Sequence, residues 1–246
     1  MSAMGALTER SLMSAARDGG MIYEVLSPIG YLAGFAAALH GLIDTDRVSY
    51  SQYLVPAVVV QSMISIALLT GDRAARDRLH ALGQRLATLP IPAAVPVSAR
   101  MVATLMRATL ALSVAMVASY AIGFRMTGGL RYALAFVLAA LLLCLAVGLA
   151  ADALGSGASS LEGVSHILFV PQLLLFMLST GIAPERTFPG WLRPYVRNQP
   201  VSQVTETLRG LARGHVAVGT FVAGMAWCVG MMLVFGAITL RMQRRA

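Results

Sequence analysis

Long runs of apolar residues without charged side chains constrain the fold of this chain more than any other sequence feature. Each run is close to the roughly 20 residues that a helix needs to cross a hydrocarbon core of about 30 Å. The runs also lack the alternation of polar and apolar residues that a transmembrane β-barrel requires. We therefore predict an all-α integral membrane protein with six transmembrane helices, at Val25–Ile43, Tyr53–Thr70, Met101–Phe124, Tyr132–Ala151, Val164–Ala183 and Val216–Leu240.

The residues outside these runs give no sign of a soluble catalytic domain. Only 12% of the chain is charged, against about 25% in soluble domains. The net charge of +8 is carried by loops beside the membrane, so it predicts no nucleic-acid partner. Residues 1–24 carry several charges and no short apolar core of a signal peptide. We interpret them as an interfacial helix lying on the membrane.

The distribution of arginine indicates the orientation of the chain. All 19 basic residues are Arg. With both termini in the cytoplasm, ten Arg lie inside and eight outside, which is a weak preference under the positive-inside rule. The Arg-rich C-terminus and second loop favour this arrangement. We therefore expect a multi-pass protein of the plasma (inner) membrane with both termini cytoplasmic.

No residue pattern predicts a catalytic or metal site. The four His have no ligand spacing, and Cys144 and Cys228 lie inside predicted spans. A nucleotide-hydrolysing P-loop needs a Lys, and this chain has none. We predict no catalytic residue, no metal and no cofactor bound by the chain. Transport would then run down a gradient or use ATP hydrolysed by another polypeptide.

The loop between the second and third predicted spans forms an amphipathic helix in our interpretation. Its leucines recur at steps of three and four residues, and its arginines lie mainly off that stripe. Pro90 and Pro92 then end the helix. From periodicity alone, this helix either docks into a groove on a cytoplasmic partner or floats in the lipid headgroup layer.

The segment 184–214 is too polar to cross the membrane but carries aromatic residues among its arginines. Val204, Leu208 and Leu211 form an apolar stripe, and Pro200 lies near the start of that helix. We predict helices that enter the outer leaflet partway. They form either a lid over the exit of a substrate path or an aromatic anchor at the interface.

The segment 179–202 resembles the signature that precedes the last span of type-2 ABC exporter permeases. It is most similar to the daunorubicin-resistance permeases, a branch that includes mycobacterial exporters of polyketide lipids such as phthiocerol dimycocerosate. The residues that carry the resemblance are Ser179, Thr180, Gly181, Pro184, Phe188, Pro189, Gly190, Trp191, Pro194, Asn198, Gln199, Pro200 and Ser202.

The resemblance implies one type-2 ABC transmembrane domain over residues 1–246. Segment 72–92 would contain a coupling helix for an ATP-binding subunit that holds ATP and Mg, with the N-terminal helix as a clamp. Segment 184–214 would be a re-entrant, extracytoplasmic exit region. A second permease subunit, a copy or a sister, would complete the path. The implied coupling residues are Asp72, Arg73, Arg76, Asp77, Arg78, Leu79, Leu82 and Leu86, and the exit residues are Phe188, Trp191, Asn198, Gln199 and Pro200.

The coupling loop departs from the family pattern at its start. Many relatives have a Glu and a Gly early in this loop, whereas this chain has Asp72, Arg73 and two alanines. This departure affects the docking contacts that can be expected for the ATP-binding subunit.

Polar residues inside the predicted spans are candidates for a substrate path. They are Gln61, Ser65, Arg107 and Gln172. A charge at the depth of Arg107 is costly and marks function, although its side chain can also snorkel to the membrane surface. We expect an exporter of a hydrophobic drug, antibiotic or lipid, in contact with membrane lipids.

Two other classes of protein remain open. One is an ATP-independent channel or secondary transporter. The other is a membrane-embedded lipid-modifying enzyme, whose site would be Asp152, Glu162 and His166.

Overall fold

The computed structural model describes residues 3–17, 20–39, 47–79, 92, 94–158 and 161–245, and within these ranges it contains helices and no β-strand. A turn of 3-10 helix, Glu185–Thr187, precedes the seventh α-helix. The prediction of an all-α fold is confirmed for the described residues. The α-helices are α1 (Ala3–Arg17), α2 (Gly20–Leu39), α3 (Arg47–Leu79), α4 (Ala94–Ala121), α5 (Leu130–Ser156), α6 (Leu161–Met177), α7 (Arg193–Asn198), α8 (Pro200–Ala212) and α9 (Val218–Arg245).

Four of the described helices are long and apolar enough to cross a membrane. They cover Ser51–Leu79, Ala94–Ala121, Leu130–Ser156 and Val218–Met242, the positions of the predicted second, third, fourth and sixth spans. Helix α2, of 20 residues, and helix α6, of 17 residues with Pro171 inside it, occupy the predicted first and fifth spans. Length and composition therefore support four spans among the described residues. A topology of six spans requires that α2 and α6 also cross the membrane.

Two element boundaries differ from those read from the sequence. The segment 1–24 contains α1 and the first residues of α2, so Glu24 lies inside the longer helix. Helix α3 continues without a break to Leu79 and includes the first residues of the segment 72–92. The reason is local, because residues 72–79 contain no Pro or Gly and are rich in the good helix formers Ala, Arg and Leu. The rest of the predicted coupling helix lies outside the described residues.

Helices α3 and α5 form the centre of the bundle and make its most extensive contact. Their backbones cross closely at Gly71 and Gly155, where a Cβ atom on Gly155 would lie 2.1 Å from the carbonyl oxygen of Gly71. Arg78 donates a hydrogen bond to the carbonyl oxygen of Ser156 at the same crossing. Any larger side chain at Gly155 would push this end of α3 away from α5.

Helix α8 covers the other end of the bundle. The predicted stripe of Val204, Leu208 and Leu211 is buried, and α8 packs against α3, α5 and α9. The amide nitrogen of Thr127 donates to the carbonyl oxygen of Ala212 at 3.0 Å. The segment between α6 and α9 is thus a packed cap on one end of the spanning helices.

Candidate functional site

Helix α3 carries polar side chains at three depths, near Tyr53, near Ser65 and near Arg73. At a rise of about 1.5 Å per residue, Tyr53 and Arg73 are separated by about 30 Å, the thickness of a hydrocarbon core. Tyr53 and Arg73 are therefore far enough apart for α3 to cross a hydrocarbon core between them. Gln61 and Ser65 lie near the middle.

A cavity of about 530 Å³, which we name the lateral cavity, lies between α2, α3 and α6. Gln61, Ser65 and Gln172 line it. Gln172 Nε2 donates to Ser65 Oγ at 3.2 Å, and Ser65 Oγ lies 3.0 Å from Tyr31 Oη. The buried Gln61 Oε1 has no hydrogen-bond partner among the described residues. Three of the four predicted path residues thus meet in one cavity.

The chemistry of the lateral cavity suits a molecule with a large apolar body. Its volume falls within the range of about 300–1,000 Å³ that is usual for ligand pockets. The free oxygen of Gln61 can accept a hydrogen bond from such a ligand, and the Tyr31–Ser65–Gln172 chain can reorganise to donate one. The apolar part of the lining consists of Leu68, Leu69, Leu168, Phe169 and Leu173.

Arg107, the fourth predicted path residue, does not line the lateral cavity. It is 2% exposed, and its Nη1 donates to Glu24 Oε1 at 2.5 Å. The other donors contact the Thr104 hydroxyl and the Ala103 carbonyl oxygen. Arg73 also reaches Glu24, at 3.2 Å. The carboxylate of Glu24 therefore joins α2, α3 and α4 through its ion pairs with Arg73 and Arg107.

A second ion-pair network lies at the same end of the bundle. Arg100 of α4 contacts both carboxylate oxygens of Asp152 on α5, at 2.5 and 3.2 Å. It also lies 3.5 Å from Asp77 on α3, and Arg10 of α1 lies 3.9 Å from Asp77. The pairs connect four helices, from the N-terminal helix to the centre of the bundle. Since Asp152 is fully buried against Arg100, it is not a free acid for an enzymatic site.

The other residues of the enzyme alternative add no support to it. Glu162 and His166 belong to α6, and their side chains lie outside the described part of the chain. Sequence reasoning missed the pairing of Glu24 with Arg107 and of Arg100 with Asp152. The available signal was the presence of opposite charges in or beside apolar runs, where an unpaired charge is costly.

The predicted coupling residues divide into a described and an undescribed part. Arg73 and Asp77 form ion pairs within the subunit, and Asp72 and Arg76 also have partners. Leu79, at the end of α3, is 44% exposed. This end of α3 is thereby tied to α1, α2, α4 and α5. Arg78, described above, bonds to α5, whereas Leu82 and Leu86 lie outside the described residues.

The predicted exit residues occupy the turns around α7 and α8. Gln199 Nε2 donates to the Leu178 carbonyl oxygen at 2.5 Å, which ties the cap to the end of α6. Asn198 caps its own helix by donating to the Pro194 carbonyl oxygen. Phe188 follows the 3-10 turn, Trp191 is 81% exposed, and Pro200 is the first residue of α8. The motif therefore shapes the cap and presents one large aromatic side chain outward.

Arg209 is a buried cation that sequence reasoning counted only as a loop charge. It is 4% exposed, and its guanidinium carbon lies 3.6 Å from the centre of the Tyr53 ring. It donates to the carbonyl oxygens of Tyr53, Thr180 and Gly181 and to Glu206 Oε1. This residue fixes α8 onto the start of α3 and the end of α6. The spacing of Glu206 and Arg209 was its only sequence signal.

Comparison with curated proteins gives relatives that cover most of the chain. A daunorubicin resistance ABC transporter permease protein, DrrB1, of Streptomyces coeruleorubidus is 29% identical over 229 residues, which are 91% of this chain and 79% of the relative. A doxorubicin resistance ABC transporter permease protein, DrrB, of Mycobacterium tuberculosis is 30% identical over 217 residues, 85% of this chain and 75% of the relative.

A third relative is described as a probable doxorubicin resistance ABC transporter permease protein, DrrC, of Mycobacterium tuberculosis. It is 26% identical over 231 residues, which are 92% of this chain and 83% of the relative. The family of ABC-2 type transporters matches residues 2–212. That match includes α1, the lateral cavity, both ion-pair networks and the cap formed by α7 and α8. The chain therefore belongs to the ABC-2 type transporter family.

Proposed function

We propose that this chain is a permease subunit of an ATP-driven exporter that moves a hydrophobic drug, antibiotic or lipid across the plasma membrane. The observation that carries this proposal is the lateral cavity. It extends along α3 from the middle of the helix to Asp72, and five apolar side chains line it together with the polar or charged residues Tyr23, Tyr31, Gln61, Ser65, Asp72 and Gln172. Such a cavity suits a cargo that partitions into the membrane before it is exported.

The proposed topology has six spans with both termini in the cytoplasm. It adds α2 and α6 to the four span-length helices. A helix of 20 residues is about 30 Å long, so α2 can cross a bilayer core. The buried Glu24 of α2 is neutralised by two Arg, which lowers the cost of a carboxylate near the membrane. In this orientation α1 lies on the cytoplasmic side and the cap of α7 and α8 on the outer side, with its helices re-entrant.

The energy for transport comes from ATP hydrolysed by a separate ATP-binding subunit, which holds ATP and Mg. This chain has no Lys for a P-loop. The segment 72–92 is its coupling element, with Leu79, Leu82 and Leu86 as the apolar contacts. A second permease subunit, a copy of this chain or a sister, faces the first across the transport path.

The continuity of α3 supports a direct mechanical link in this mechanism. Helix α3 runs from the coupling element at Asp72–Leu79, past Ser65 and Gln61, to the cap at Tyr53. Movement of the coupling element therefore moves one wall of the lateral cavity. Cargo enters this cavity from the inner leaflet, and closure of the ATP-binding subunits changes its shape until the cargo leaves beneath the cap.

The test of this proposal is ATP-dependent uptake of doxorubicin by inverted membrane vesicles that contain the chain with its ATP-binding subunit. Doxorubicin is a fitting probe because relatives are named for resistance to it. Gln172→Leu keeps the side-chain volume but removes the amide that bonds to Ser65. We expect it to raise the KM for doxorubicin by about threefold to tenfold, since one hydrogen bond contributes about 1 kcal/mol.

A matched control compares the loss of a serine hydroxyl inside the lateral cavity with the loss of one outside it. Ser65→Ala removes a hydroxyl from the lateral cavity, whereas Ser113→Ala removes an exposed hydroxyl of α4 that bonds only to its own helix. Equal KM values for these two variants would contradict the proposed path. Vesicles that hydrolyse ATP but take up no doxorubicin would contradict this drug as the cargo and would favour a lipid cargo.

A further inference from the structure

A second cavity, of about 520 Å³, lies beneath the cap at the end of the bundle opposite α1. We name it the arginine cavity. Five guanidinium groups and two carboxylates line it, a surplus of three positive charges. The positive residues are Arg186, Arg193, Arg197, Arg209 and Arg213, and the negative residues are Glu185 and Glu206.

Part of this charge is already used to hold the cap together. Arg209 bonds to Glu206 and to three carbonyl oxygens, as described above. Arg193 donates to the carbonyl oxygens of Phe188 and Arg186, at 3.0 and 3.2 Å. These contacts fix the wall of the cavity, but carbonyl oxygens do not neutralise a full positive charge.

The other three arginines remain available to a ligand. The guanidinium groups of Arg186, Arg197 and Arg213 have neither a hydrogen bond nor an ion pair to any residue in the described ranges. All three are exposed to the cavity side of the cap. Glu185 is the one cavity carboxylate left to balance them, so the surplus of charge persists in the vicinity of these side chains.

A buried hydroxyl supplies an independent sign of a missing ligand. Thr180 lines the arginine cavity and is 6% exposed, yet its Oγ1 has no hydrogen-bond partner among the described residues. A buried polar group without a partner costs about 1–3 kcal/mol. An anion in the cavity would accept a hydrogen bond from this hydroxyl while it binds the arginines.

The depth of the arginine cavity matches that of lipid headgroups. Tyr53 lines this cavity and lies about 30 Å along α3 from Arg73. The arginine cavity therefore lies at one edge of the hydrocarbon core. Trp191 and Tyr195 on the same segment are exposed, and such aromatic residues concentrate at membrane–water interfaces. The arginines are therefore held at the level where the lipid phosphates lie.

We propose that the arginine cavity is a binding site for a phosphate-class anion, supplied by the headgroup of an anionic lipid or by free phosphate. Guanidinium groups match phosphate oxygens in a bidentate geometry. The site is separate from the lateral cavity, and its existence does not depend on which side of the membrane the cap faces.

The test is titration of the full chain, purified in a neutral detergent, with dihexanoyl phosphatidylglycerol. Dihexanoyl phosphatidylcholine serves as the zwitterionic comparison, and inorganic phosphate as the free anion. The chain has two Trp, and Trp191 and Trp227 both contact or belong to the cap. Their fluorescence reports binding, and isothermal titration calorimetry checks it.

Two matched double variants distinguish binding in the arginine cavity from a general attraction of anions to the positively charged chain. Arg197→Gln with Arg213→Gln removes two cavity arginines. Arg125→Gln with Arg131→Gln removes two exposed arginines at the same end of the bundle but outside the cavity. We expect the cavity variant to raise the Kd for phosphatidylglycerol at least about tenfold, and the control variant to change it less than about twofold.

The variant Thr180→Val tests the buried hydroxyl with little change in shape. We expect a rise in Kd of about threefold to tenfold, and weaker binding at high salt for the wild type. Tight binding of phosphatidylglycerol with weak binding of phosphate assigns the site to a lipid headgroup, and equal binding assigns it to the free anion. Equal binding of phosphatidylglycerol and phosphatidylcholine, or equal losses in the two double variants, would overturn the proposal.

Discussion

At the scale of single residues, buried charges organise the α1 end of the bundle. The three charges of Glu24, Arg73 and Arg107 meet inside it, and Arg107 is 2% exposed. A buried ion pair contributes little net stability compared with an apolar pair, but loss of one partner leaves an uncompensated charge. Glu24 is therefore more sensitive to substitution than an exposed carboxylate on the same end of the molecule.

The variant Glu24→Gln tests this role. It keeps the shape of the side chain but leaves Arg107 without a counter-charge, so we expect the free energy of unfolding to fall by about 3–5 kcal/mol. The measurement is denaturant or thermal unfolding in detergent. Glu9→Gln, at an exposed position of α1, is the control, and we expect a change within about 0.5 kcal/mol.

The same pair also provides an internal check. Glu24→Gln combined with Arg107→Met removes both charges of the most buried pair and leaves only the partly exposed Arg73 without its counter-charge. We expect this double variant to recover most of the lost stability, because an apolar replacement of both partners is often neutral. Recovery by the double variant would attribute the loss to the unpaired charge, whereas no recovery would point to a packing defect at Glu24.

At the scale of elements, helix α3 connects regions that the sequence presents as separate. Its apolar run predicts a span that ends at Thr70, and its charged continuation predicts an independent helix. The structure instead has one helix of 33 residues. Gly71 does not end it, because this residue is needed for the close crossing with α5 rather than for a turn. The coupling proposal for residues 72–92 therefore begins on a spanning helix.

A co-purification experiment tests the proposed coupling element. Leu82→Asp with Leu86→Asp places two charges on the predicted apolar stripe, and we expect loss of most of the co-purifying ATP-binding subunit. A desolvated, unpaired charge costs several kcal/mol, which corresponds to at least about a hundredfold in affinity. The readout is mass spectrometry of proteins recovered with the tagged chain from a mild detergent.

The control for this experiment adds the same charge to the opposite helical face. Gln84→Asp with Ala87→Asp introduces two acids into the same segment, off the stripe of Leu79, Leu82 and Leu86. Retention of the ATP-binding subunit by the control but not by the stripe variant supports docking through the leucines. Equal retention by both variants would favour a helix that floats in the headgroup layer.

At the scale of the whole molecule, the two cavities and the two ion-pair networks are distributed along one axis. The ion pairs lie at the α1 end, the lateral cavity extends from that end to the middle of α3, and the arginine cavity lies beneath the cap. This order follows from the length of α3, which passes all of them. A permease with this layout has a distinct cytoplasmic end and outer end, so its orientation is open to a direct measurement.

Single-cysteine labelling in intact cells measures that orientation. Cys144 and Cys228 are free thiols, both fully buried, so they give a low background. With termini in the cytoplasm, we expect a membrane-impermeant maleimide to label Trp191→Cys in intact cells. Met13→Cys, at an exposed position of α1, should react only after the membrane is permeabilised. The reverse pattern would invert the proposed topology.

The sequence by itself determined the class of the protein, its helical content and its family. These properties follow from local features, since apolar runs of about 20 residues leave a helix as the favoured way to cross a bilayer. The segment around Trp191 and Pro200 carried the resemblance to type-2 ABC permeases, and the family match confirms that family. Gln61, Ser65 and Gln172 stand out in the sequence because polar groups inside spans are costly, and the three side chains line one cavity.

Only the tertiary structure decided how distant residues pair. Glu24 and Arg107 are 83 residues apart in sequence, and Ser65 and Gln172 are 107 apart. Nothing in the local sequence specifies such contacts, because they depend on which helices pack together and at which depth. For the same reason the sequence does not show that Arg107 pairs with Glu24 and lies outside the lateral cavity. The arginines of the cap, which the sequence presents as scattered loop charges, surround one cavity because α8 folds back onto the start of α3.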